Sequence, residues 1–410
     1  MCAPDFPFPF TDVDAAHIGD CDSVLTLVNL RMIELSYALR GKPLWWTKIH
    51  DPTIRSKWKA EALEHEIRGD KLKEAEVEWV LEELEDYAKM RDETTGIQPS
   101  CHIRIWESDE LVSQDLYSRL RSAVSVFENV PEEEKDWHPR SNNQVLDLVH
   151  PSLFCAVYGR TQFWDTSNGG RELKLLDTPD GENGSPARAL GYINNVHPQK
   201  HKDLITAIEY LVGRFSLLWD KVLTDIHSKH DFRDLGRAKV SGSYEWIYNP
   251  DYPLPRWEEF EQLGSKENGS SNQPVGAVKT FVNRCIAFPN TYQHQVSSFK
   301  LVDPTKPGHR KIVALFLVDP EDRLPSTSDI PPQQSDWTRE AIFEALVRGN
   351  HRMKAPLPVE LVDMVADRVD NVMTLEEAKA YRLELMDERA AFVDVVDEQH
   401  FCTTFNFCEH

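Results

Sequence analysis

The residues that most constrain this chain are Lys311–Val318, KIVALFLV, an almost unbroken β-branched and aliphatic run. Alternating apolar and polar residues mark a strand with one wet face. A continuous apolar run bounded by turn residues marks a strand covered on both faces. Upstream, Arg284–Pro289 (RCIAFP) reads as a second strand, and the turn after it presents His294 next to Val296. Arg310 stands at the mouth of the Lys311 run. The pattern therefore places a histidine just after one core strand and an arginine at the start of the next.

The rest of the composition decides which partners such a core can serve. The chain has 410 residues, enough for one large domain or two. Its formal net charge is −22, from 68 acidic against 46 basic residues. Nucleic acid and anionic membrane surfaces both require a basic footprint, so neither is expected as a partner. No apolar run approaches the roughly 20 residues that span a bilayer. The first twenty residues lack a basic segment followed by a long apolar one, as a secretory signal would have. The seven cysteines are scattered, odd in number and free of CxxC pairs, which reads as reduced thiols in a cytoplasmic protein.

Three regions follow from periodicity and turn residues. A helical N-terminal region, 1–95, contains helices over 21–40 and 53–92, the first stopped by Gly41-Lys42-Pro43. A central region, 96–322, holds the short β-like CHIRIW, a helix around 112–127, and the apolar stretch 145–164. A Gly/Asp/Asn-rich loop over 165–188 follows, then a strand at 191–198 leading into an inserted helix over 199–228. Residues 229–275 are loop-like, with SYEWIY the best strand candidate. A C-terminal region, 323–410, joins a Pro/Ser connector to helices at 338–348, 357–370 and 375–395. Thr374 and Glu377 form a capping box at the start of the last.

Familiar catalytic words are missing. There is no GxSxG elbow, no GxxxxGK[ST] phosphate loop, no GxGxxG and no HExxH. Of the fifteen histidines, only His201 is followed two residues later by an acid, Asp203. On a helix those side chains point about 200° apart and cannot chelate one ion. HSKHD is the better metal candidate: His227 and Asp231 are four apart on a helical end, with His230 between them. The bland alternative for that segment is a solvated helix terminus.

Many ordered words carry a resemblance across most of the chain: GKPLWWTKIHDP, KWKAEA, VLDLVHPSLFCAVYGRT, YINNVHPQKHKDL, RCIAFPNTYQHQVSSF, DPTKPGHRKIVALFLVDP, PPQQSDW and a Cys408-Glu409-His410 tail. In these words the chain resembles DUF4246, a fungal domain-of-unknown-function family. That family looks like a helical region joined to a double-stranded β-helix, or jelly roll, of the iron(II)/2-oxoglutarate dioxygenase type. The resemblance implies an α+β fold in which helices precede and follow a jelly-roll core. It implies His294 as the distal metal ligand and Arg310 as the residue that forks onto the far carboxylate of 2-oxoglutarate.

Tyr158, Arg160, Asn194 and Asn195 also fall in family words, as pocket candidates. The Asn pair reads equally well as turn or cap chemistry. Family members also carry a Trp-His-x-Glu-like segment that supplies the first histidine and the carboxylate. Here only about two dozen residues separate Val240 from Gly264, where it should stand, so the core is incomplete and no catalytic residue is assigned. Either the chain has lost the segment, or its reading frame omits an exon; His227, His230 and Asp231 are the available substitutes. Two functions follow: an iron(II)/2-oxoglutarate dioxygenase acting on a small organic substrate, or an inactive relative that binds a small molecule or a protein partner.

Overall fold

The computed structural model describes residues 27–162 apart from 103, 187–226, 358–396, and 275–348 apart from 291, 293, 298–299, 302 and 320–323. The expectations for SYEWIY, most of the 165–188 loop, and His227, His230 and Asp231 lie outside the described residues. The fold is α+β, built from helices and two small antiparallel sheets. It divides into two compact units.

The first unit takes residues 1–112, 215–322 and 401–410. It opens with α1 (Leu27–Arg40), α2 (Trp45–Lys48), α3 (Pro52–Glu64) and α4 (Glu74–Met90). Asp51 caps α3 by accepting the Thr53 and Ile54 N–H groups at 2.8 and 3.2 Å, with Pro52 in the first turn, where no N–H is needed. Between α3 and α4 runs a hairpin of β1 (Glu66–Ile67) and β2 (Asp70–Lys71). Its two turn residues, Arg68 and Gly69, both have positive φ, the geometry that matches strand twist. The helical region expected over 53–92 is therefore two helices with a hairpin between them.

Trp45, Ile49, Trp58, Val77, Leu81 and Leu84 fill the core of these helices. Arg40 leaves the end of α1 between the Trp45 and Tyr87 rings and donates to the Pro99 carbonyl. That contact fixes α1 to a three-stranded sheet of β3 (Gln98–Pro99), β4 (Trp106–Ser108) and β5 (Cys285–Ala287), in that order. The last part of α6 (Lys202–Ile226) belongs to the same unit. There Trp106 Nε1 donates to the buried Asp225 carboxylate at 2.6 Å.

No jelly roll is found among the described residues, and the expected strand over Lys311–Val318 is not one. Its backbone belongs to no ladder, and Phe316 is 84% exposed. A strand covered on both faces needs a neighbour, and β5 is the last strand of its sheet.

The second unit takes residues 113–214 and 323–400. It contains α5 (Gln114–Glu128), the first part of α6, α7 (Ser335–Phe343), α8 (Val359–Ala366) and α9 (Leu375–Val396). Polar cross-links hold its long loops. Gln333 Nε2 donates to the carbonyls of Phe154 and Cys155, while its Oε1 accepts from the Thr161 hydroxyl. The capping box of α9 forms: Glu377 accepts the Thr374 N–H at 2.8 Å, and Thr374 Oγ1 accepts the Glu377 N–H at 3.2 Å. Residues 191–198 form turns where a strand was expected.

Candidate functional site

The best-formed cluster of ionisable side chains begins with a tight loop in the second unit. Trp137 and Leu146 form an antiparallel bridge, His138 N–H bonds the Val145 carbonyl at 2.8 Å, and Asp147 N–H bonds that of Asp136 at 2.9 Å. Arg140, Asn142 and Asn143 turn the chain with positive φ. Asn tolerates that conformation well, so the Asn pair suits the turn. In this pairing Asp136 and Asp147 stand opposite each other, and His138 lies on the diagonal from Asp147.

Like charges directly opposite destabilise a pair of strands. Here Arg382, from α9, removes the conflict. Its guanidinium forks onto Asp136 at 2.6 and 3.0 Å, lies 4.0 Å from the Asp147 carboxylate, and is 4% exposed. Asp147 Oδ2 is then engaged on its other side by His138 Nδ1, at 2.8 Å. A hydrogen bond of this kind to a carboxylate requires the proton on Nδ1.

His150 completes the cluster. Its ring stacks on that of His138, with centroids 5.3 Å apart and planes at 17°. Its Nδ1 accepts the Ser152 N–H at 3.0 Å, so in the neutral ring Nε2 carries the hydrogen. That Nε2 faces Asp147 Oδ2 at 3.7 Å. Desolvation pushes the His150 imidazole below its ordinary range; Asp147 opposes this, and the Arg382 and His138 charges add to it. Pro151 fixes the chain after His150. The carbonyls of His150 and Leu153 accept from Asn195 at 2.7 and 2.9 Å, and that of Leu153 also accepts from Asn194 at 2.9 Å. Gln334 Nε2 in turn donates to both Asn side-chain oxygens.

Two imidazoles and a carboxylate are a familiar ligand set for divalent metals, and these donor atoms lie within 4.8 Å of one another. Two observations oppose a metal here. A ring bound through Nε2 would carry its hydrogen on Nδ1, facing the Ser152 N–H, whereas metal-bound histidines donate that hydrogen to an acceptor. Arg382 also already supplies a positive charge 4.0 Å from the carboxylate. The arrangement fits a hydrogen-bonded Asp–His pair better than a metal centre.

The sites expected from sequence are placed differently. His294 is exposed in the first unit, its ring against Phe288 and Nδ1 3.5 Å from the Tyr292 carbonyl. Among the described residues His294 belongs to no group of three His, Cys, Asp or Glu side chains close enough to share an ion, so the residues described there do not fit an iron(II) site. Arg310 is exposed, with Nη1 donating to Thr280 Oγ1 at 3.2 Å. Tyr158 is fully exposed. Arg160 ties the Tyr381 hydroxyl, the Val372 carbonyl and Glu377, and Asn194 and Asn195 clamp the loop that carries His150. These three are structural cross-links.

His138, Asp147 and His150 were not among the expected site residues. The signal for them is the Asn142-Asn143 turn pair between Trp137-His138 and Leu146-Asp147, which folds one word back onto the other.

Comparison with known proteins gives a family without an activity. A family described as "Protein of unknown function (DUF4246)" matches residues 74–182, 176–259 and 231–341, and its N-terminal domain matches 3–61. The second and third pieces overlap over 231–259, which takes in most of the interval from Val240 to Gly264 where a segment was expected to be missing. No curated protein and no solved structure matches the chain.

Proposed function

The chain belongs to the DUF4246 family, and from that premise we propose that it is a relative of the iron(II)/2-oxoglutarate dioxygenases that works without their metal centre. On this reading it is a cytoplasmic protein of fungal origin that binds a small molecule or a protein partner. The jelly-roll core of its relatives survives only in part.

One observation carries the reading. His294 and Arg310, which would have to converge on iron and on 2-oxoglutarate, are both exposed on backbone that belongs to no strand ladder. A facial triad must hold three donors around one ion, with its second ligand shell also in place. An exposed imidazole against its own chain's carbonyl does neither. Among the described residues no helix is long and apolar enough to cross a membrane, and the net charge of −22 argues against nucleic-acid partners.

The test is succinate release by the purified 410-residue protein supplied with Fe(II), ascorbate, oxygen and 2-oxoglutarate. The expected result is release no higher than in the protein-free blank, for wild type and His294→Ala alike. Oxygen-dependent release that disappears in His294→Ala would restore the dioxygenase reading.

A further inference from the structure

We propose that His138 and Asp147 form a proton-transfer site, in which Nε2 of His138 is the base and water or a small hydroxyl compound is its proton donor. The site lies in the second unit and uses none of the residues discussed for iron, so it stands or falls independently of the reading above.

The two rings hold different tautomers. His138 gives its Nδ1 hydrogen to Asp147 at 2.8 Å, and His150 accepts the Ser152 N–H on Nδ1 and keeps its own hydrogen on Nε2. The stacked rings therefore carry their hydrogens on opposite nitrogens. His150 has no lone pair left to offer, because Nδ1 is engaged and Nε2 is protonated. His138 has one, on Nε2, which makes no hydrogen bond among the described residues. Its side chain is 34% exposed, so that lone pair can meet solvent, while Asp147 behind it is 14% exposed.

The surrounding charges favour this role. The groups facing His138 are Asp147 on the opposite arm, Asp136 on its own arm, His150 and Arg382. Formally that is two carboxylates against one guanidinium, an excess of one negative charge. A proton arriving at Nε2 makes an imidazolium that neutralises the excess while the bond from Nδ1 to Asp147 stays in place. The step is complete as written: the donor's O–H bond breaks, its electron pair remains on oxygen, and the new N–H bond forms at Nε2. A buried carboxylate that fixes the tautomer and stabilises the charged ring is the element that makes a histidine an effective base. Arg382 holds Asp136 away from Asp147 and is a positioning residue.

The experiment is nitrogen–proton correlation NMR of the imidazoles in the ¹⁵N-labelled full chain, above the pH at which histidines titrate, for wild type, Asp147→Ala and His138→Gln. It is run with and without one equivalent of Zn(II). The expected result is a His138 ring with hydrogen on Nδ1 and a bare Nε2, a His150 ring with hydrogen on Nε2, and no change on adding zinc. In Asp147→Ala the His138 hydrogen should move to Nε2. Hydrolysis of p-nitrophenyl acetate supplies a reactivity readout. Nε2 attacks the ester carbonyl, p-nitrophenolate leaves, and water releases acetate from the acyl-imidazole. The rate should fall at least about tenfold in His138→Gln, as expected when one group carries a step. A wild-type His138 with its hydrogen on Nε2 would overturn the proposal. So would a hydrolysis rate unchanged in His138→Gln, or zinc binding at one equivalent that is lost in His150→Ala.

Discussion

His102 shows how burial converts into pH dependence at a single residue. It lies buried in the connection between β3 and β4 with Gly276 against its ring, so close that a Cβ at that glycine would sit 2.6 Å from Cε1. Burial first, and the Arg40 charge second, hold the imidazole down at about 4. An unfolded histidine titrates near 6.5, so between these values the unfolded chain binds a proton that the folded chain refuses. The stability is fully present above about 6.5 and drains as pH falls toward 4, by up to about 3 kcal/mol. Urea midpoints measured from pH 7 down to 4.5 should fall for wild type and fall distinctly less for His102→Gln. Equal slopes for the two proteins would show that His102 does not supply the effect.

Residues of this kind were poorly legible in the sequence. His138, Asp147 and His150 sit up to twelve positions apart, the last two in a stretch read only as apolar and His138 before it, and their meaning depends on a turn and on Arg382, more than two hundred positions away. The Asn194–Asn195 pair was legible as to type, with turn or cap chemistry one of its two readings. Which carbonyls it holds was not, because those partners are set by tertiary packing.

At the scale of elements, local signals did well and non-local ones did not. The helices α1, α5, α6 and α9 lie close to their expected bounds, and the Thr374–Glu377 capping box forms as read, because periodicity and caps are decided within a few residues. The Lys311–Val318 run has the composition of a buried strand, but a strand exists only against a neighbour, and composition does not say whether one pairs with it; among the described residues none does. The loop over Asp136–Asp147 is the opposite case, an element tied to α9 by Arg382 on Asp136 and by Arg140 on Asp387. Arg382→Met should leave Asp136 without its cation and cost about 3 kcal/mol, as breaking a largely buried pair does. Adding Asp136→Leu should recover most of that loss. Urea unfolding of the single and double variants measures both, and a single-variant cost below about 0.5 kcal/mol would place the pair with weak surface bridges.

For the whole molecule, the α+β class and the jelly-roll core were both expectations from resemblance; the described residues are α+β and contain no jelly roll. The physical reason is continuity. A closed sheet needs each strand's neighbour, and its chemistry needs donors from several strands. Both depend on pairings between segments far apart in the chain, which a run of apolar residues does not report. What remains is a helical unit carrying a three-stranded sheet, and a second unit whose loops are cross-linked by polar side chains around an aspartate–histidine pair.

The central claim is that His294 and Arg310 do not assemble an iron(II)/2-oxoglutarate centre. Anaerobic titration of the full 410-residue chain with Fe(II) in the presence of 2-oxoglutarate tests it most directly, by watching for the visible charge-transfer band of the iron(II)–2-oxoglutarate chelate. No saturable band is expected, while circular dichroism shows the protein folded. A band that saturates at one equivalent and is lost in His294→Ala would contradict it.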